Sequence, residues 1–404
     1  VKVRIERSKA AGTVSAPPSK SMAHRDIIAA ALADGTSKIT NVAYSEDIKA
    51  TIDCVRELGA EVTAAEDSVT VRGAFPFGEA GRERRFMCRE SGSTLRFMMG
   101  IALGLGGRNS FYGSAKLMTR PLGIYEDICK ANGIVFNRFD DRIETEGKLS
   151  SGVYKIPGDV SSQFITGLLF VLPLLKGDSV ILLLPPVESR SYINLTVKAL
   201  KDFGVDIIWQ DDNTLFVKGD GAYVSRNIMV EGDYSNAAFL DAFNLLSGNV
   251  KVTGLDADSL QGDRVYEAYY EELSRGHATL DLSDCPDLAP VLMSLAAALH
   301  GARFTGTRRL KVKESDRGEA MDSELMKLGI KTDLYDNEIE VHSGTLQAPT
   351  EPIDGHNDHR IVMAMSLLLT LTGGEIEGAE AVAKSYPNYF EDIEKLGINV
   401  KKEC

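Results

Sequence analysis

Two apolar patterns alternate along the chain. In the first, an apolar stretch that predicts a strand is followed by apolar positions at helical spacing, then a glycine, then short alternating runs. SKITNVAYSEDIKATIDCVRELGAEVTAAEDSVTVRG is one copy; NSFYGSAKLMTRPLGIYEDICKANGIVFNRFDDRIETEG, SVILLLPPVESRSYINLTVKALKDFGVDIIWQDDNTLFVKG and ARFTGTRRLKVKESDRGEAMDSELMKLGIKTDLYDNEIEVHS are others. Two weaker copies start at Asn249 and Gly374. Each predicts a strand, an amphipathic helix, a second strand, a turn and a third strand, recurring roughly every 50 to 75 residues. Gly59, Gly133, Gly204, Gly276, Gly329 and Gly397 fall where these helices should end in a left-handed cap. Alternation such as Leu215-Phe216-Val217 suits a strand with one buried face.

The second pattern is apolar nearly all round. MAHRDIIAAALADG, STLRFMMGIALGLGG, SSQFITGLLFVLPLLKG, SNAAFLDAFNLLSGN, APVLMSLAAALHG and DHRIVMAMSLLLTLTGG predict helices buried inside a domain. Six such helices and six repeats divide into three per domain. Their polar residues gather at the N-terminal ends. That is the arrangement for capping, and also for binding anions, because free N–H groups and the helix dipole point outward there. A single polar helix start is ordinarily only a cap; six together favour a shared anion site.

Composition narrows the class. A chain of 404 residues exceeds one ordinary core, so two domains are expected. With 44% hydrophobic and 25% charged residues it reads as globular. The apolar stretches near Gly167–Leu175 and Ile361–Leu371 fall short of the roughly 20 residues a spanning helix needs, so no membrane partner is expected. No secretory leader is evident, and Cys54, Cys88, Cys129, Cys285 and Cys404 are odd in number with no C-x-x-C pair. A cytoplasmic protein without a metal is therefore expected. The net charge of −13 argues against nucleic acid as partner.

The segments that carry chemistry are few. SAPPSKSMAHR places Lys20, Ser21 and Arg25 at one buried helix start, and ESGSTLRF places Gly92 and Arg96 at another. GDVSSQF offers Ser161, Ser162 and Gln163 as uncharged donors, although Ser-Ser before an apolar helix is more often just a cap. LKVKESDR carries Lys313, Glu314, Asp316 and Arg317: a solvated charged face, or a general acid flanked by cations. HNDHR sets Asp358, His359 and Arg360 before an aliphatic run; a metal site on His356 and His359 fails on spacing and lacks partner ligands. AKSYPNYF adds Lys384 and CPDLAP adds Asp287. Such residues suit a small pair of polyanionic substrates and cofactor-free acid–base chemistry that rests on positioning and electrostatics.

Read in order, SKSMAHR, SGSTLR, the Arg120-Pro121-Leu122-Gly123 turn, SSQF, KESDR, NDHR and AKSYPNYF resemble the 3-phosphoshikimate 1-carboxyvinyltransferase (EPSP synthase) family over essentially the whole chain. The resemblance implies an α/β fold of two domains, an inside-out α/β barrel of six βαβαββ repeats, three per domain. Residues 13–229 would form one domain and residues 1–12 with 230–404 the other, with the active site in the cleft between them. The activity would be transfer of the enolpyruvyl group of phosphoenolpyruvate to the 5-hydroxyl of shikimate 3-phosphate, without cofactor, by a monomer. Lys20, Ser21, Arg25, Ser161, Ser162, Gln163, Ser189, Tyr192, Asp287 and Lys313 would bind shikimate 3-phosphate. Lys20, Gly92, Arg120, Gln163, Arg317, Arg360 and Lys384 would bind phosphoenolpyruvate.

The resemblance also implies roles in catalysis. Asp287 would be the base at the hydroxyl and Glu314 the acid at the methylene, with Lys20 and Lys384 as competing proton carriers. Loss of one arginine is expected to cost affinity without unfolding. Glyphosate is expected to inhibit, since nothing at Gly92 adds bulk. Two positions depart from the family pattern: Arg309, which is not carried over, and Glu90, which stands where Asn is usual and calls for a cation such as Arg89.

Three rivals stand beside this reading. The related UDP-N-acetylglucosamine enolpyruvyl transferases carry a cysteine before the Arg-Pro turn, and GSAKLMTRP has none. An RNA 3′-terminal phosphate cyclase would want a nucleophilic histidine and a basic surface. A non-catalytic anion binder would have no reason to keep both Asp287 and Glu314.

Overall fold

The computed structural model describes residues 1–75, 77 and 82–403; Cys404 lies outside them. The chain forms two compact units, residues 1–17 with 231–404, and residues 18–230. The first 17 residues belong with the C-terminal half because Ala11–Ser15 pairs in parallel with Asn249–Thr253, so the divide falls after Pro17 and not after residue 12.

The mixed α/β architecture repeats one motif. Val153–Pro157 runs parallel to Ser179–Leu184, which pairs antiparallel with Thr214–Val217, and that strand with Ile207–Asp211. The helices Ser162–Val171 and Arg190–Asp202 fill the two parallel connections, giving βαβαββ in chain order. The sheet of Arg84–Met87, Arg108–Tyr112, Arg142–Glu146 and Val135–Arg138 has the same wiring. So does the sheet of Ala278–Asp281, Ala302–Thr305, Glu338–Val341 and Thr332–Leu334. Thr36–Thr40, with Ser68–Arg72 and Glu61–Ala64, takes its parallel partner Ile228–Met229 from the far end of its unit.

The two weak copies resolve differently. The copy at Gly374 is completed by Lys2–Ile5, which lies between Gly374–Glu377 and Val400–Glu403. The copy at Asn249 does not close into a four-stranded sheet. Among the described residues its strand pairs only with Ala11–Ser15, and the alternating run after helix Tyr266–Arg275 opens the next sheet instead. Only one such run separates that helix from Pro286, so a closing hairpin has no sequence to form it. Gly59, Gly133, Gly204, Gly329 and Gly397 follow their helices at φ between 66° and 110°. Gly276 instead has φ 159° and ψ −166°, an extended exit without a left-handed cap.

All six all-round apolar segments are buried helices. Lys20–Leu32, Gly92–Leu105 and Ser162–Val171 form the core of one unit. Tyr234–Leu245, Ala289–Ala298 and His359–Thr372 form the core of the other. Ser19, Ser91, Ser161, Asp233 and Asp358 cap five of them through their side chains. Ala289–Ala298 starts instead from the 3-10 turn Pro286–Leu288. Gly92–Leu105 and Ser162–Val171 touch backbone to backbone: a Cβ on Gly100 would lie 2.4 Å from the Gly167 carbonyl, so only glycine fits. Among the described residues no helix is long and apolar enough to cross a membrane.

Candidate active site

In the unit of residues 18–230, helix starts carry the predicted residues. The close approach at Gly100 and Gly167 sets two helix N-termini side by side. Arg96 Nη1 then donates to Gln163 Oε1 at 2.6 Å, and Gln163 Nε2 to Ser93 Oγ at 2.8 Å. Gly92 opens its helix directly under Arg120: a Cβ there would sit 2.4 Å from Arg120 Nη1. Arg120 itself follows the short helix Ala115–Thr119, and its carbonyl accepts from Arg138 Nη2 at 2.6 Å.

Lys20 Nζ pairs with Asp47 at 2.8 Å. Arg25 is buried and spans Thr196 Oγ1 (2.9 Å), the Ser21 carbonyl (2.6 Å) and the Tyr192 carbonyl (3.0 Å). Burial lowers its pKa to about 10, so it stays charged at neutral pH. Ser161 caps the helix that begins with Ser162 and Gln163. Ser189 precedes helix Arg190–Asp202, buried, at φ 53°.

In the other unit, three segments converge on one charge network. Asp287, in the 3-10 turn, accepts from Arg317 Nη1 at 2.8 Å and Lys313 Nζ at 3.1 Å on one oxygen, and from Arg360 Nη2 at 3.0 Å on the other. Arg317 also holds Glu314 at 2.8 Å, and reaches the fully buried Asp358 at 2.9 Å and 3.3 Å. Ser315 Oγ donates to Asp358 at 3.0 Å. Lys384 Nζ donates to the Asn357 carbonyl at 2.7 Å, one residue before Asp358.

Burial alone would raise the Asp287 carboxyl, but Arg360, Lys313 and Arg317 outweigh it and hold it well below the usual carboxylate range. Burial likewise opposes ionisation of Asp358, and Arg317 overcomes it, leaving its pKa lowered. Burial lowers Lys313 despite the opposing charge of Asp287. A second buried carboxyl, Asp263, is raised to about 7, first by burial and then by the charge of Asp287. A convergent set of cations around an ionised carboxylate can bind a multiply charged anion and take up a proton in the same place.

Sequence reasoning missed part of this. Asp47, in the first turn of helix Glu46–Leu58, was not singled out, because nothing in its local sequence points to Lys20. Asp358 was visible in HNDHR, but its place as the buried partner of Arg317 was not. Arg89, the cation expected at Glu90, is committed to Glu46 at 2.7 Å and Asp53 at 2.8 Å.

The family model for EPSP synthase (3-phosphoshikimate 1-carboxyvinyltransferase) matches residues 5–393. A 3-phosphoshikimate 1-carboxyvinyltransferase of Clostridium beijerinckii is 41% identical, covering 98% of this chain and 97% of its own length. The enzyme of that name from Clostridium kluyveri is 38% identical, with the same coverage. An EPSP synthase structure from Acinetobacter baumannii superposes with a TM-score of 0.78 at 22% identity, covering 99% of this chain and 100% of that one. With an Arg- and Lys-ringed carboxylate in one unit, anion-ready helix starts in the other, and full-length matches of this kind, the chain belongs to the EPSP synthase family of 3-phosphoshikimate 1-carboxyvinyltransferases.

Proposed function

We propose that this chain catalyses the reaction of its family, moving the enolpyruvyl group of phosphoenolpyruvate to the 5-hydroxyl of shikimate 3-phosphate with release of phosphate. The observation that carries the reading is the convergence of Lys313, Arg317 and Arg360 on Asp287. Asp287 takes the hydroxyl proton. Each anionic substrate group that draws Arg360 or Lys313 away from Asp287 raises its proton affinity, so the base strengthens as the substrates bind. Glu314 protonates the methylene carbon, with Lys20 and Lys384 as the competing proton carriers.

Lys20, Ser21, Arg25, Ser161, Ser162, Gln163, Ser189, Tyr192, Asp287 and Lys313 hold shikimate 3-phosphate. Lys20, Gly92, Arg120, Gln163, Arg317, Arg360 and Lys384 hold phosphoenolpyruvate, where arginine forks match carboxylate and phosphate oxygens. The units are read as the two domains of an inside-out α/β barrel with three βαβαββ copies each, the copy at Asn249 being truncated.

Phosphate release from phosphoenolpyruvate with shikimate 3-phosphate, and none with UDP-N-acetylglucosamine, is the expected result. Release only with the second acceptor, or with neither from folded protein, would overturn the assignment. Gly92→Ala tests the phosphoenolpyruvate side. The added methyl crowds the flexible end of Arg120 at 2.4 Å and meets Arg96 Nη1 only at van der Waals distance, 3.6 Å, so the protein should fold while the Arg120 guanidinium swings away. KM for phosphoenolpyruvate is expected to rise roughly tenfold, the loss of one charge-assisted contact. An unchanged KM in steady-state assays would remove Arg120 from that site.

A further inference from the structure

We propose that Glu324 and His356 are positioning residues: together they hold the turn at 355–357 from which Asp358, Arg360 and the anchor of Lys384 take their places. This inference rests on the assignment of Arg360 and Lys384 to phosphoenolpyruvate.

The turn needs holding. His356 and Asn357 lie in the left-handed region at φ 49° and 50°. Both residue types tolerate that conformation better than most, but two consecutive non-glycine residues in it are uncommon. Gly355 before them is pressed against its neighbours, since a Cβ there would lie 2.7 Å from Val362 Cγ2 and 2.8 Å from the Glu377 carbonyl.

What holds it is a carboxylate buried in another element. Glu324, on helix Arg317–Lys327, has a side chain only 1% exposed. It accepts from His356 Nε2 at 2.9 Å, from the Asp354 backbone N–H at 2.9 Å and from Lys327 Nζ at 2.8 Å. Asp354 returns a bond, its Oδ1 accepting from the His356 N–H at 2.7 Å. The entry to the turn and its first left-handed residue are thus tied to one carboxylate.

Three groups depend on where the turn goes. The Asn357 carbonyl receives Lys384 at 2.7 Å. Asp358 receives Arg317 and Ser315 and caps the N–H of Arg360 at 3.0 Å. If the turn relaxed, all three would move together.

The titratable and charged groups facing His356 are Glu324, Lys327 and Asp354, and the bond to Glu324 leads in raising its pKa above the ordinary value. The charged clamp is therefore complete below about pH 6.5 and is lost as pH rises through the raised folded value.

The test uses the full chain. In His356→Ala, KM for phosphoenolpyruvate is expected to rise about tenfold, with KM for shikimate 3-phosphate within about twofold of wild type. His356→Gly should behave like His356→Ala; if it restores the wild-type KM, only backbone freedom matters and the clamp is refuted. His356→Gln keeps a donor without a charge, so its KM should lie between and lack the rise with pH expected of wild type as His356 loses its proton. Glu324→Gln should follow His356→Ala, and because His356 is partly exposed, the His356 variants keep the test decisive if Glu324→Gln fails to fold. Lys384→Met separates the two readings. A raised KM there with an unchanged KM in His356→Ala overturns the clamp alone; an unchanged KM in Lys384→Met overturns the substrate assignment beneath it.

Discussion

Asp287→Asn should lower kcat by about 10²–10⁴-fold, the range for loss of a general base, while KM for both anionic substrates stays within about threefold. Asparagine keeps the shape and one acceptor oxygen, which can still take Lys313 and Arg317, while its NH2 faces the Arg360 donor; the change therefore removes the negative charge and the hydrogen bond to Arg360. Those three cations then face the substrates without an internal competitor, which is why binding should not suffer. Steady-state kinetics on protein with a wild-type circular dichroism spectrum checks the split. A kcat within tenfold of wild type would take the base role from Asp287 and pass it to another group.

Arg317→Met should be destabilising by about 3–5 kcal/mol as well as inactivating, the cost of removing one partner from a buried ion pair. This differs from the simple expectation that an arginine in a binding site costs affinity alone. Arg317 is 1% exposed, and the Asp358 it holds is fully buried, so the variant strands a carboxylate away from water. In the variant, burial is left to push Asp358 upward, so that it protonates at higher pH and part of the loss is relieved in acid. Denaturant midpoints for wild type and variant should therefore differ more at pH 8 than at pH 5. Equal stability at both values would show that the network contributes nothing to folding, and only the affinity role would remain.

The sequence alone determined the elements and the kinds of residue at their ends. Apolar residues spaced for helices, alternation spaced for strands, and glycines at helix ends are local patterns, and local geometry follows them in all six buried helices and at five of the six glycines. All-round apolar segments could only be interior helices, and they are. The ordered motifs pointed to the family for a similar reason: each is a short stretch whose residue types are needed at one helix start or turn.

The tertiary structure decided what meets what. Lys2–Ile5 and Ala11–Ser15 complete sheets whose other strands lie hundreds of residues away, and no local pattern names a pairing partner. The truncated copy at Asn249 and the extended exit at Gly276 were likewise outside the repeat logic, because that logic assumes every copy closes. The same holds for charge. Lys20 with Asp47, Arg89 with Glu46 and Asp53, and Glu324 with His356 are contacts between different elements. Residue type shows that a charged group needs a partner; only the packing of helices and turns, set by close contacts such as Gly100 on Gly167, fixes which partner it finds.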